Sequence, residues 1–211
     1  MDKIIFHHAP MSRSNIVHWM FEELGVPYQL KAMSLERADH KKPDYLAINP
    51  MGKVPAITHQ GVTITEAAAI CAYLADEFPA VQLAVPIGDP RRGLYLKWLF
   101  FGPSCLEQAI IDRIHNRPQV APSSSSYGNY DTVMETLANA LAKGPYLLGE
   151  QFTAADIVIG SGIRWGGMMK AVPERPEFAA YAERLGARPA AQRSFAKNQA
   201  LYAQLHPHPT G

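Results

Sequence analysis

The sequence predicts an α/β domain, βαβ-ββα in order around a mixed four-stranded sheet, followed by an all-α helical bundle. Three observations predict it. Strand-like and helical runs alternate through residues 1–79; a stretch without periodicity over 78–90, with three prolines and a glycine, holds the boundary; and the periodic runs within 90–211 have helical spacing.

Residues 3–8 form a short apolar strand, and the reading runs back to Met1 without the charged and apolar regions of a signal peptide. Ile16, Val17, Met20 and Leu24 then recur at helical spacing, and Gly25 stops that helix. Residues 28–31 are a second strand, which completes a βαβ start. Residues 54–58 and 62–64 are two more, joined through Gln60-Gly61, a hairpin signal. A helix over 67–78 closes the layer. Asp89 and Pro90 are placed as N-cap and first residue of the next helix. A long apolar helix over 94–114 is expected to bend at Gly102-Pro103, and a Pro/Ser loop covers 116–126. An amphipathic helix spans 127–141. Thr153 and Asp156 are spaced for a capping box, with Phe152 and Ile157 set for a hydrophobic staple. Pro173, Pro176 and Pro189 punctuate the last helices.

Composition narrows the function classes. A chain of 211 residues, 47% apolar and 18% charged, suits one large domain or two small ones. Its net charge of +1 and short basic pairs, Lys41-Lys42 and Arg91-Arg92, give no track for nucleic acid or an acidic membrane. No apolar run approaches the roughly 20 residues that span a bilayer. Cys71 and Cys105 lie in apolar helical runs, outside metal or Cys-x-x-Cys spacing, and read as inert buried thiols in a reducing, cytoplasmic setting. His7 and His8 alternate across the first strand without a partner at ligand spacing, so no metal is expected.

The most informative stretch is 49–69. Val54-Pro55 joins a loop to a strand and is a candidate cis bond, although only about 5–6% of X-Pro bonds are cis. A tight turn there leaves the Val54 main chain free to pair with an extended peptide. The helix that opens at Ala67 offers unpaired N–H groups to a carboxylate, and Glu66 beside it is an acceptor for an amine.

These pieces resemble the cytosolic glutathione transferase superfamily. The likeness is carried by Ala9-Pro-Met-Ser-Arg-Ser14 before Trp19-Met-Phe-Glu-Glu-Leu-Gly25, by 49–55, by 65–70, and by Leu147-Leu-Gly-Glu-Gln-Phe-Thr-Ala-Ala-Asp-Ile157, in the family's order across nearly the whole chain. The resemblance implies a thioredoxin-like, glutathione-binding domain at 1–79, a linker at 80–89 and an electrophile-binding helical domain at 90–211. It implies a transferase joining the glutathione thiolate to an electrophile in detoxification. It implies glutathione as co-substrate, with no cofactor. A cytoplasmic homodimer without nucleic-acid or membrane partners is implied as well.

The family's reaction needs a thiolate, yet a free thiol of pKa near 8.5 is only slightly ionised at neutral pH. A hydroxyl donating to sulfur beside a helix N-terminus favours the charged form. Pro-Met-Ser-Arg matches the bacterial Ser-type members, theta- or nu-like, that read Pro-Gly-Ser-Arg, and this points to Ser12; Ser14 and Arg13 are the rivals. No cysteine precedes Cys71, which disfavours omega-like, glutaredoxin-like and beta-class chemistry. By resemblance Val54 and Pro55 meet the cysteinyl unit and Glu66 the γ-glutamyl amine. Lys53 and His40 meet the glycine carboxylate, although either also reads as a plain solvent-facing residue. Ala67 departs from the family's serine and leaves only its N–H for the γ-glutamyl carboxylate, a loss of about 1–3 kcal/mol where charge is involved. Tyr95, Trp98, Leu99, Phe101 and Gly102 are expected to line the electrophile pocket between the halves, with Met11 opposite; helical spacing makes some of them core. Asp156 is implied to be structural. A non-catalytic carrier of the same fold, and a glutathione-dependent isomerase or dehalogenase, stay open as alternatives.

Overall fold

β1 (Ile4–His8) is an inner strand of the sheet: Ile4, Phe6 and His8, alternate residues on one face, are buried, and so is His7 on the other. The structure, a computed structural model, describes residues 3–118 and 120–207. Met1 and Asp2 of the expected first strand, Gln119 of the expected Pro/Ser loop and residues 208–211 lie outside the described residues. Helix α1 (Ser14–Leu24) follows β1 and ends at Gly25, whose φ of 66° lets its N–H reach Phe21 O at 2.9 Å. Next come β2 (Tyr28–Ala32), α2 (Pro43–Leu46), β3 (Ala56–His59), β4 (Val62–Thr65) and α3 (Ala67–Glu77). The sheet order is β2-β1-β3-β4, with β2 parallel to β1 and the other pairs antiparallel, the mixed four-stranded sheet expected. Gln60 and Gly61 both have positive φ, 52° and 77°, as a two-residue hairpin turn requires.

The helical part is α4 (Arg92–Phe101), α5 (Glu107–Ile114), α6 (Tyr130–Leu141), α7 (Ala154–Met168), α8 (Pro176–Gly186) and α9 (Pro189–Leu205). The helix expected over 94–114 is interrupted, as anticipated, at Gly102-Pro103. A π-turn over Gly102–Leu106 takes up the residue that cannot donate. A Cβ on Gly102 would stand 2.6 Å from Val158 Cγ1, so glycine lets α4 approach α7. The helix expected to start at Asp89-Pro90 starts two residues later, because Asp89 Oδ1 accepts from Arg91 N–H at 2.8 Å and closes a turn first. Thr153 N–H donates to Asp156 Oδ2 at 2.9 Å, the capping box read from the sequence. Asp156 Oδ1 also accepts from Leu147 N–H and Tyr181 Oη, both at 2.9 Å.

Packing divides the chain into Met1–Leu74 with Arg188–Gly211, and Ala75–Ala187. The division by chain order expected above placed α9 with the helical domain; by packing, α9 lies on α1. Glu23 takes a two-bond contact from Arg188, at 2.6 and 2.8 Å, and Glu22 accepts from Lys197 at 2.6 Å and Arg193 at 3.1 Å. Among the described residues no helix is long and apolar enough to cross a membrane.

Candidate active site

Strand register gathers the chemistry-bearing segments at one end of the sheet. His7 pairs with Ala56 and Ala56 with Thr65, so the ends of β1 and β4 flank the start of β3. The loop holding Ser12, the Val54 turn and the opening of α3 therefore converge. Ala9, Met33, Tyr45 and Ala56 form a buried cluster with Ile48 and Val54 packed against it, which ties the first loop to the turn.

The Val54–Pro55 bond is cis, as the sequence suggested. Val54 precedes β3 and joins none of its register pairs. The turn before it is braced by residues the sequence reading did not single out. Lys53 O accepts from Tyr45 Oη at 2.5 Å and Asn49 Nδ2 at 2.8 Å, and Asn49 Oδ1 accepts from Met51 N–H at 3.1 Å. Spacing alone signals the Asn49 bond, an Asx-type turn two residues long; the Tyr45 bond is visible only in three dimensions. Gly52 is left-handed (φ 56°), and a Cβ there would stand 2.8 Å from Lys41 Nζ and 3.0 Å from His40 O. That crowding brings the 3-10 turn Asp39–Lys41 against the Val54 turn. Lys53 is exposed and His40 half-buried; burial first, then Lys41 and Lys53, lower the His40 pKa.

Ser12 is half-buried. Its hydroxyl donates to Ala9 O at 2.7 Å and accepts from Ser14 N–H at 3.1 Å, at the mouth of α1. Arg13, half-buried, is the N-cap residue. Ser14 is different. It is fully buried and its Oγ lies 2.5 Å from His8 Nδ1, so it faces the interior rather than a ligand. Glu66 is exposed and left-handed at φ 65°, an unusual state for a side chain with a Cβ. Its carbonyl accepts the first α3 bond, from Ile70 N–H at 2.9 Å, which leaves the N–H groups of Ala67 to Ala69 without helical partners. Met11 is also left-handed (φ 57°) and is 56% exposed. Positive φ at Met11 and Glu66 marks this rim as strained backbone, the kind that collects at functional sites.

The second unit's candidates lie differently. Tyr95, Trp98, Leu99 and Gly102 are buried, and Phe101 is half-buried. The core reading that helical spacing offered describes these four better than pocket lining, for Gly102 through its contact with Val158. Burial pushes the Cys71 thiol up, which keeps it inert, and Cys105 is half-buried. Among the described residues no group of three or more His, Cys, Asp or Glu is placed to hold a metal ion.

Known proteins share this fold. Residues 1–76 match the family model for the glutathione S-transferase N-terminal domain, and 127–189 that for its C-terminal domain. Glutathione S-transferase 3 of Schizosaccharomyces pombe is 32% identical over 171 residues, 72% of this chain and 70% of that one. Glutathione S-transferase GstA of Escherichia coli O157:H7 is 27% identical over 88% of this chain and 94% of its own. A glutathione transferase from Methylococcus capsulatus superposes with a TM-score of 0.79 at 27% identity, covering 93% and 99% of the two chains. A homologue from Sulfitobacter, solved with bound glutathione, gives 0.73 at 25% identity over 95% and 100%.

Proposed function

The chain belongs to the glutathione S-transferase family, and from that premise we propose that Ser12 is the group that holds the glutathione thiolate during conjugation. The activity is glutathione transfer: sulfur forms a bond to an electrophilic carbon, and the leaving group departs with its electron pair. The observation that carries the reading is the convergence of the Ser12 loop, the Val54 turn and the α3 opening at one sheet end.

Lowering the thiol pKa by two units needs about 2.7 kcal/mol of preference for the thiolate. Ser12 must turn its proton from Ala9 O to sulfur. It exchanges a neutral hydrogen bond of about 0.5–1.5 kcal/mol for a charge-assisted one of about 1.5–3. The net gain, roughly 1–1.5 kcal/mol on those values, is half of what is required. The α1 N-terminus, at about 0.3–1 kcal/mol, and the Arg13 charge supply the rest. No covalent enzyme intermediate is involved; positioning and thiolate stabilisation carry the rate.

In this assignment the Val54 main chain pairs with the cysteinyl unit against Pro55, and Glu66 takes the γ-glutamyl amine. The Ala67 N–H takes its carboxylate. Lys53 and His40 meet the glycine carboxylate. Met11 borders the electrophile, and the buried Tyr95, Trp98, Leu99 and Gly102 are left to shape rather than touch it. A detoxifying role, a cytoplasmic setting and a homodimer belong to the same proposal and rest on the family.

Ser12→Ala should raise the pKa of bound thiol by about one unit and lower kcat/KM toward chlorodinitrobenzene about threefold at pH 7, approaching tenfold at lower pH. Unchanged turnover would move the role to Arg13. Retention on immobilised glutathione without turnover by the wild type would favour a carrier.

A further inference from the structure

We propose that His8 and Ser14 are positioning residues for Ser12, a buried pair that sets where the catalytic hydroxyl stands. The inference rests on the assignment of the thiolate contact to Ser12. Ser14 touches that hydroxyl through its main chain, with its N–H donating to Ser12 Oγ at 3.1 Å. Ser14 is in turn held by its own side chain, 2.5 Å from His8 Nδ1. Both residues are fully buried, so neither meets the ligand.

His8 Nε2 and Asn198 Oδ1 are both buried and meet no hydrogen-bond partner, so the ring is held through Nδ1, which accepts from the Ser14 hydroxyl or donates to it in either neutral tautomer. The hydroxyl is then committed, and the first residue of α1 cannot turn. Burial and the neighbouring His18 keep His8 neutral. The His8 ring is seated on the His18 ring at 5.2 Å and 23°. His18 Nδ1 reaches Ser194 Oγ at 2.8 Å and Asn198 Nδ2 at 3.0 Å on α9. The loop that carries Ser12 is thereby registered on a helix some 180 residues later in sequence.

The test titrates the thiol of bound glutathione by its thiolate ultraviolet absorbance and measures kcat and KM in parallel. The variants are Ser12→Ala, Ser14→Ala, His8→Leu and His8→Asn. Ser14→Ala and His8→Leu should each raise the thiol pKa and lower kcat about three- to tenfold, the worth of one positioned hydrogen bond. KM for glutathione should stay within about twofold, because the binding contacts are untouched. His8→Asn, whose amide oxygen can stand where Nδ1 stood, should recover most of the loss. If His8→Leu does not fold, Ser14→Ala and His8→Asn decide alone. A folded Ser14→Ala with the wild-type thiol pKa and kcat overturns the proposal, as does a Ser14→Ala that changes KM only. Should Ser12→Ala itself leave the thiol pKa unmoved, the assignment of Ser12 falls instead.

Discussion

Single residues at the site's rim depart from local preference in opposite senses. Met11 occupies a left-handed conformation suited to glycine, whereas Gly52 occupies one that glycine alone fits. Met11→Gly removes a penalty of roughly 1–2 kcal/mol and adds about 0.5–1 of unfolded-state entropy, so a stabilisation of up to about 1.5 kcal/mol is expected. Gly52→Ala should cost about 1–3 kcal/mol, because its Cβ meets Lys41 Nζ and His40 O as well as a strained φ. A urea midpoint that falls in Met11→Gly, or rises in Gly52→Ala, would contradict the assignment at that residue. The rim was partly legible in the sequence. Pro-Met-Ser-Arg pointed to Ser12, and Val54-Pro55 to the turn, because each is a local pattern. That Ser14 turns inward was not legible, since its partner His8 lies across the strand-to-helix loop and only the fold decides which hydroxyl faces out.

At the scale of elements, the helix starts and stops separate what is local from what is not. Thr153 and Asp156 announced the start of α7 from spacing alone. Asp156 is buried, and burial raises its pKa against four donated hydrogen bonds. Asp156→Ala orphans those donors and should cost about 3 kcal/mol or more, with kcat of the surviving folded enzyme little changed; differential scanning calorimetry beside a rate assay checks it. The α1–α9 seam was not legible, because its bonds span more than 160 positions. It predicts a pH dependence. Burial, with His18 adding, lowers His8 to about 3, while burial lowers His18 to about 4 as Glu22 opposes and Lys197 assists. The unfolded chain, with histidine near 6.5, then binds more protons than the native one, so stability is complete above about pH 6.5 and falls as pH drops toward 4. Each histidine contributes a slope of up to about 1.4 kcal/mol per pH unit. Urea unfolding at pH 7, 6 and 5 should show this, and replacing His8 and His18 together with Asn should flatten it; an equal slope in the double variant refutes the account.

For the molecule as a whole, fold class was legible and the packing of α9 was not. Periodicity and the prolines at 79, 86 and 90 separated sheet from bundle in chain order, but packing returns α9 to the sheet-bearing unit. Deleting residues 188–211 removes no residue assigned to glutathione, yet uncovers α1 and leaves Glu22, Glu23 and His18 without their α9 partners. Retention on immobilised glutathione should be lost on that deletion, and a truncated chain that still binds would separate the seam from the site. The same closure has a temporal side. A unit assembled from two segments far apart in sequence pairs parts of the chain made far apart in time. During translation the sheet and α1 must wait, with the α1 face bare, until residues 188–205 have left the ribosome. Nascent chains stalled just short of α9 are therefore where proteases and chaperones find this protein most vulnerable.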